Sequence, residues 1–304
     1  MPSPSFSLNI GLMEARLRKF LGTDTLLSYW LLLPTLVFIG VFFLMPLFNA
    51  IMLAFRADNG AFTLDYFKKM VADVRFIETL KYTFLLAVTI VPLQLITALA
   101  MALLVNTGFR GSRFFLYLFA LPLGISDLAA GLIWLSIFTQ HGFLNSILYS
   151  LGIIERPIYF ISYQNIGLTF LAVVVAEHWR ATAIVLVILV AGLQMISKDY
   201  LEAAEVLGAR GWRKVWYVVL PMLKPSLQSA LIIRTIFALQ TFAVVLALAG
   251  DIIPVLSGEA YFWHFLYRNS HIASAYAVFL MVISIGMTWF YLRFLRSRME
   301  VIRG

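Results

Sequence analysis

Four ionisable side chains stand in stretches that are otherwise apolar: Asp127, Glu177, Arg180 and Arg234. Each charge in such a setting costs about 2.5 to 3.5 kcal/mol on insertion scales, so pairing or recognition has to offset it. Glu177 and Arg180 are three residues apart, a spacing that puts both on one helix face. Two readings stay open for them: a self-satisfied pair that holds helices together, or a polar site that hydrogen-bonds the hydroxyls of a solute. Arg234 is close enough to a span end to snorkel. Trp134 and Trp179 offer flat apolar faces for stacking on a sugar ring, or ordinary helix packing. Bond-breaking chemistry has no comparable footing. The chain has no cysteine and no Gly-Lys pair, so thiol catalysis, thiolate metal sites and the G-x-x-x-x-G-K-[ST] phosphate loop are all excluded. H-E-x-x-H and G-x-S-x-G are absent as well. The chain reads as no enzyme and as binding no cofactor or metal itself. If ATP drives its work, another polypeptide binds the nucleotide.

The elements that carry these residues are membrane spans. Of 304 residues, 62% are hydrophobic and only 12% charged, and the mean hydropathy of +0.92 is too high for one water-soluble core. A span needs about 20 mostly apolar residues to cross about 30 Å of hydrocarbon. Six segments qualify: Tyr29 to Phe55, Tyr82 to Val105, Phe114 to Phe138, Ile166 to Val190, Ser226 to Ala249 and Ile272 to Leu292. The expected fold class is an all-α polytopic membrane protein with six transmembrane helices. An even number of spans puts both termini on one side. That side holds 14 of the 23 Lys and Arg, the other side 7, and Arg180 and Arg234 lie within spans. Carboxylates number 6 and 7 on the two sides, so the whole net charge of +8 belongs to the face carrying the termini. By the positive-inside rule that face is cytoplasmic. The basic balance therefore records topology, not affinity for nucleic acid.

Residues 1–27 form a cytoplasmic tail, with Ile10, Met13, Leu17 and Leu21 at helical spacing for an interfacial helix or a tail without one. Residues 28–295 form the transmembrane domain, and 296–304 a second cytoplasmic tail. The longest cytoplasmic connection, about 191–225, reads QMISKDYLEAAEVLGARGWRKVWYVVLPMLKP from Gln194. Asp199 and Glu202 have capping-box spacing. Tyr200, Ala203, Ala204 and Leu207 then share a narrow face of mostly small residues. Gly208 and Gly211 permit a reversal, and Trp212, Val215, Trp216 and Val219 lead back toward the membrane. Periodicity alone allows either a knob offered to a cytoplasmic partner or a helix resting on the bilayer.

Glu202-Ala203-Ala204, Gly208-Ala209, Leu220-Pro221 and Pro225 resemble the EAA loop of permease subunits of binding-protein-dependent ABC importers. Trp179 with Ala191-Gly192-Leu193-Gln194, Arg113 with Leu121-Pro122, and Gly142 with Asn145 and Leu148 resemble its carbohydrate branch. The Arg-rich C-terminus is similar to that of maltose-F and glycerophosphate-A type subunits. Leu207 stands where the family usually has aspartate, Ser126 where proline is frequent, and Ala249-Gly250-Asp251 where Gly-Gly-Pro is expected.

The resemblance implies the type I importer permease fold, in a bacterial or archaeal inner membrane. It implies as partners a second permease, two ATPase subunits carrying ATP and Mg, and an extracytoplasmic solute-binding protein. By the same resemblance Tyr200, Glu202, Ala203, Ala204, Leu207, Gly208, Ala209 and Arg210 couple to the ATPase. Asp127, Gly131, Trp134, Glu177, Trp179, Arg180, Gln240 and Thr241 line the path of a sugar, oligosaccharide or polyol. A permease for polyamine, phosphate or sulfate, an ion-coupled secondary transporter and a membrane scaffold stand as alternatives.

Overall fold

The computed structural model describes residues 24–294. The expected interfacial helix in the N-terminal tail and the cytoplasmic tail at 296–304 lie outside the described residues, apart from the few that begin the first helix. Among the described residues every regular element is helical, which bears out the all-α expectation.

The chain divides into two units, at Thr63. The first contains one run long and apolar enough to cross a membrane, Tyr29–Phe55. It consists of α1 (Asp24–Ile39), a π-helical turn (Gly40–Leu44) and α2 (Met45–Phe55). Pro46 follows the π turn within a continuous helical run, a place where a helix accommodates a proline that has no amide hydrogen to donate. A single antiparallel bridge, Arg56 to Phe62, closes the turn that follows, with the rings of Phe55 and Phe62 stacked at 5.8 Å.

The second unit begins with the amphipathic α3 (Asp65–Ala72), which buries Tyr66 and Met70 against the last helix, α14 (Ser270–Phe294). Its centre is α4 (Phe76–Asn106) packed along α8 (Ile166–Gln194). The run Trp212–Leu239 lies against both. It comprises α10 (Trp212–Lys214), a π turn (Val215–Val219) and α11 (Leu220–Leu239). Small residues make the close approaches. Ala98, Ala102 and Ala230 are fully buried in one core cluster, as expected where helices meet in lipid without a hydrophobic drive between them.

Two expected spans are corrected. The third is not one helix from Phe114 to Phe138. It is α5 (Ser112–Ala120) with a 3-10 turn (Leu121–Gly124), then α6 (Asp127–Phe138) running on toward α7 (Phe143–Ser150), with a bend of 102° between the two halves. Pro122 sits in the turn, Ile125 is extended, and the Ser126 hydroxyl accepts from the Ala129 amide at 3.2 Å as an N-cap. The fifth span, expected at Ser226 to Ala249, starts earlier and stops at Leu239. Gln240 and Phe242 leave helical geometry before the short α12 (Ala243–Ala249). A further helix, α13 (Leu256–Phe265), fills the connection to α14.

Candidate solute pathway and coupling helix

The break at Ile125 sets Asp127 as the first residue of α6, half-exposed, facing Arg180 on α8. From there a polar chain runs through four helices. Arg180 reaches Asp127 at 2.8 Å and Glu177 at 3.2 Å. Glu177 also receives Arg234 of α11 at 3.2 Å, and Arg234 donates from Nε to Gln94 of α4 at 2.8 Å. The Gln94 amide donates in turn to the Glu177 carbonyl at 3.0 Å. Two cations meet two carboxylates, so the set is neutral. It holds an inner and an outer part. Gln94, Glu177 and Arg234 are buried to within 1%, whereas Asp127 and the edge of Arg180 meet the surface. Within the network Glu177 is held between two arginines. Arg180 is shared between that anchor and the surface, with its Nε buried and unpartnered.

Beside this pair the rings of Trp134 and Trp179 meet edge to face at 6.0 Å, and Trp134 stacks on Phe138 at 5.3 Å. Trp179 keeps 36% of its surface. Trp134 is partly buried in a core cluster, its indole N–H without a partner, so packing claims most of it. His178 is half-buried and close to the Thr182 hydroxyl.

Other residues expected on the pathway are placed differently. Gly131 is buried at the crossing of α6 and α12. A Cβ there would sit 2.6 Å from Ala247 Cβ and 3.1 Å from the Val244 carbonyl, so the close approach of the helices requires glycine. Gln240 and Thr241 part company at the helix break. Gln240 is exposed and lines a cleft of about 840 Å³ between α11, α13 and α14, with Phe242, Ser257, Ser284 and Trp289. Thr241 is buried; its hydroxyl donates to the Phe237 carbonyl, and its own carbonyl accepts from Ser257. Gln94 was missed from sequence. The only signal was an amide in the middle of a span, two residues after Pro92.

The EAA segment forms α9 (Lys198–Val206). Ser197, rather than Asp199, is the N-cap: its hydroxyl accepts from the Asp199 amide at 3.3 Å. At the other end Gly208 takes φ +87°, and the Ala209 amide closes on the Ala204 carbonyl at 2.8 Å, a left-handed helix stop. The face expected to be shared is split by burial. Ala204 is buried, while Tyr200, Ala203 and Leu207 look outward, Leu207 at 87% exposure. Leu201 packs toward the membrane helices. Glu202 and Arg210 are exposed, and Ala209 is half-buried. Lys214 at the start of the fifth span pairs with Glu205 at 2.5 Å and holds its carboxyl below the usual range. Tyr200, Val206 and Leu207 are thus large apolar groups on a short, braced helix, and among the described residues nothing covers them.

Residues 94–300 match the sequence profile of the binding-protein-dependent transport system inner membrane component family. The chain belongs to this family. Its relatives include the sn-glycerol-3-phosphate transport system permease protein UgpA of Brucella abortus, 31% identical over 296 residues that cover 93% of this chain and 99% of that one. The protein of the same name from Agrobacterium fabrum is 30% identical over 289 residues, covering 91% and 97%. The probable ABC transporter permease protein YesP of Bacillus subtilis is 29% identical over 274 residues, covering 88% and 85%. Among solved structures, a bacterial ABC transporter involved in import of the acidic polysaccharide alginate has a chain with a TM-score of 0.79 at 22% identity, covering 94% of this chain and all of that one. The fold is therefore that of an ABC importer permease. The chain is a multi-pass membrane subunit of a binding-protein-dependent importer.

Proposed function

We propose that this permease forms half of the translocation path for a sugar, oligosaccharide or polyol, and that α9 seats in an ATPase subunit. The observation that carries the solute reading is the Asp127–Arg180 pair. A carboxylate and a guanidinium side by side at a surface accept from one hydroxyl and donate to the next, as adjacent hydroxyls of a polyol require. Trp179 stands one residue from Arg180 and adds an apolar face. The relatives named for sn-glycerol-3-phosphate transport support a polyol-bearing solute. Solute contact thus falls to Asp127, Arg180, Trp179 and the cleft residue Gln240, with Glu177 as the positioning group behind Arg180.

The orientation follows from charge: both termini and the 191–225 loop face the cytoplasm. The chain does no bond chemistry of its own, and ATP with Mg belongs to two partner ATPases. A second permease completes the path, and the solute-binding protein delivers from outside. Closure of the ATPases would move α9, and through Leu201, Ala204 and the Lys214–Glu205 pair the start of the fifth span, opening the path by alternating access. The test is uptake into proteoliposomes holding the assembled importer and its binding protein. Arg180→Gln is expected to lower uptake of the physiological polyol by at least tenfold while the complex still assembles. Unchanged uptake in that variant would remove Arg180 from the solute path.

A further inference from the structure

We propose that the cytoplasmic end of the fifth span is a docking surface for the headgroups of anionic phospholipid, with Arg213 and Lys224 as its cations. The run Trp212–Leu239 has 28 residues, or about 42 Å of helix at 1.5 Å each against a hydrocarbon core of about 30 Å. Its first turns therefore stand at headgroup level. Arg213 and Tyr217 stand about one turn apart with Trp212 and Trp216 alongside, and Lys224 follows beyond the π turn at Val215–Val219. Both cations are exposed, and Trp212, Trp216 and Tyr217 expose 65%, 55% and 78% of their surface.

Charge selects the occupant. No aspartate or glutamate occurs between Glu205 and Asp251. Lys214 is committed to Glu205, and among the described residues neither Arg213 nor Lys224 makes an ion pair. The Lys224 side chain tilts toward the helix N-terminus and can snorkel toward the headgroup level from about 16 Å deeper along the helix, where Arg213 already stands. Two uncompensated cations around an aromatic belt complement a phosphate at the acyl boundary. The site adjoins the brace between α9 and the fifth span, so lipid bound there acts on the coupling segment. This inference rests on the cytoplasmic placement of the loop.

The test uses the purified full chain in nanodiscs of phosphatidylcholine doped with brominated phosphatidylglycerol or brominated phosphatidylcholine. The quenched signal is assigned by difference from Trp212→Phe/Trp216→Phe. We expect the anionic lipid to quench at severalfold lower mole fraction, about fivefold for each cation engaged. Arg213→Gln/Lys224→Gln should abolish the preference, and Arg213→Lys/Lys224→Arg should keep it. Equal quenching by both lipids overturns the proposal. So does loss of the preference when co-purified ATPase subunits are added, which would assign this face to the ATPase. Labelling of Val206→Cys in the otherwise cysteine-free chain by an impermeant maleimide reads the orientation separately, because nanodiscs expose both leaflets alike.

Discussion

At the scale of single residues, the account turns on which member of the buried network is fixed and which is free. Glu177 carries two arginines in a space with almost no solvent. Glu177→Ala is expected to cost about 3–5 kcal/mol by stranding Arg234, seen as loss of folded protein in detergent. Asp127 is half-exposed, so Asp127→Asn should leave thermal stability nearly unchanged and weaken solute-stimulated ATP hydrolysis by about tenfold or more. Equal destabilisation by both variants would make the whole network structural. The spacing of Glu177 and Arg180 was legible in sequence because it lies within one helix. Their partners were not, because Gln94 and Arg234 are 140 positions apart and meet only through packing. A second buried carboxyl lies outside the spans. Burial pushes Glu259 up from its ordinary value, with Arg75 at 3.6 Å opposing and Asp73 and Asp251 adding to the rise. A carboxyl raised in the folded state binds its proton more tightly there than in the unfolded chain. It therefore removes stability as pH rises from the unfolded value through the folded one, and removes none below both. Melting curves from pH 4.5 to 7.5 should show Glu259→Gln gaining relative to the parent as pH rises. A constant offset would contradict this.

At the scale of elements, the helix breaks position the site, and their signals differ in strength. Pro122-Leu123-Gly124 followed by Ser126-Asp127 is a stop followed by an N-cap, so the end of α5 and the start of α6 were readable, and the high overall hydropathy of the segment masked them. The break at Gln240 carries no proline or glycine; it follows from packing against α13, where Ser257 holds the Thr241 carbonyl at 2.8 Å. The crossing of α6 and α12 depends on Gly131. Gly131→Ala is expected to cost about 1–3 kcal/mol by overpacking, and Ala247→Gly in the same chain should recover much of it, because the added methyl meets Ala247 first. No recovery in the double variant would place the strain on the Val244 backbone instead. In α9 the requirement is conformational, since nothing lies within 4 Å of a Cβ at Gly208 and its φ is +87°. Gly208→Val should deform the helix end, and ATP hydrolysis should persist while uptake falls. Retained coupled uptake would show that the left-handed stop is dispensable for coupling.

At the scale of the whole molecule, composition was enough for a multi-pass membrane fold, with five runs long and apolar enough to span among the described residues, or six if the bent pair within Ser112–Ser150 is one span, and charge asymmetry was enough for an expected orientation. The EAA spacing was enough for the family, since that loop is local in sequence. The solute was not legible. Its path is shared with a second permease, and Gly131, Thr241 and Glu177, expected there, also pack or pair within this chain. The central claim is that the exposed apolar face of α9 is an ATPase contact. The most direct measurement is recovery of this chain from membranes in mild detergent, with mass spectrometry and an ATPase assay on what stays bound, for the parent and for Leu207→Asp. The account predicts a second six-span permease and an ATPase with the parent, and loss of the ATPase alone with the variant. An ATP-independent homo-oligomer, the same for both chains, would contradict it.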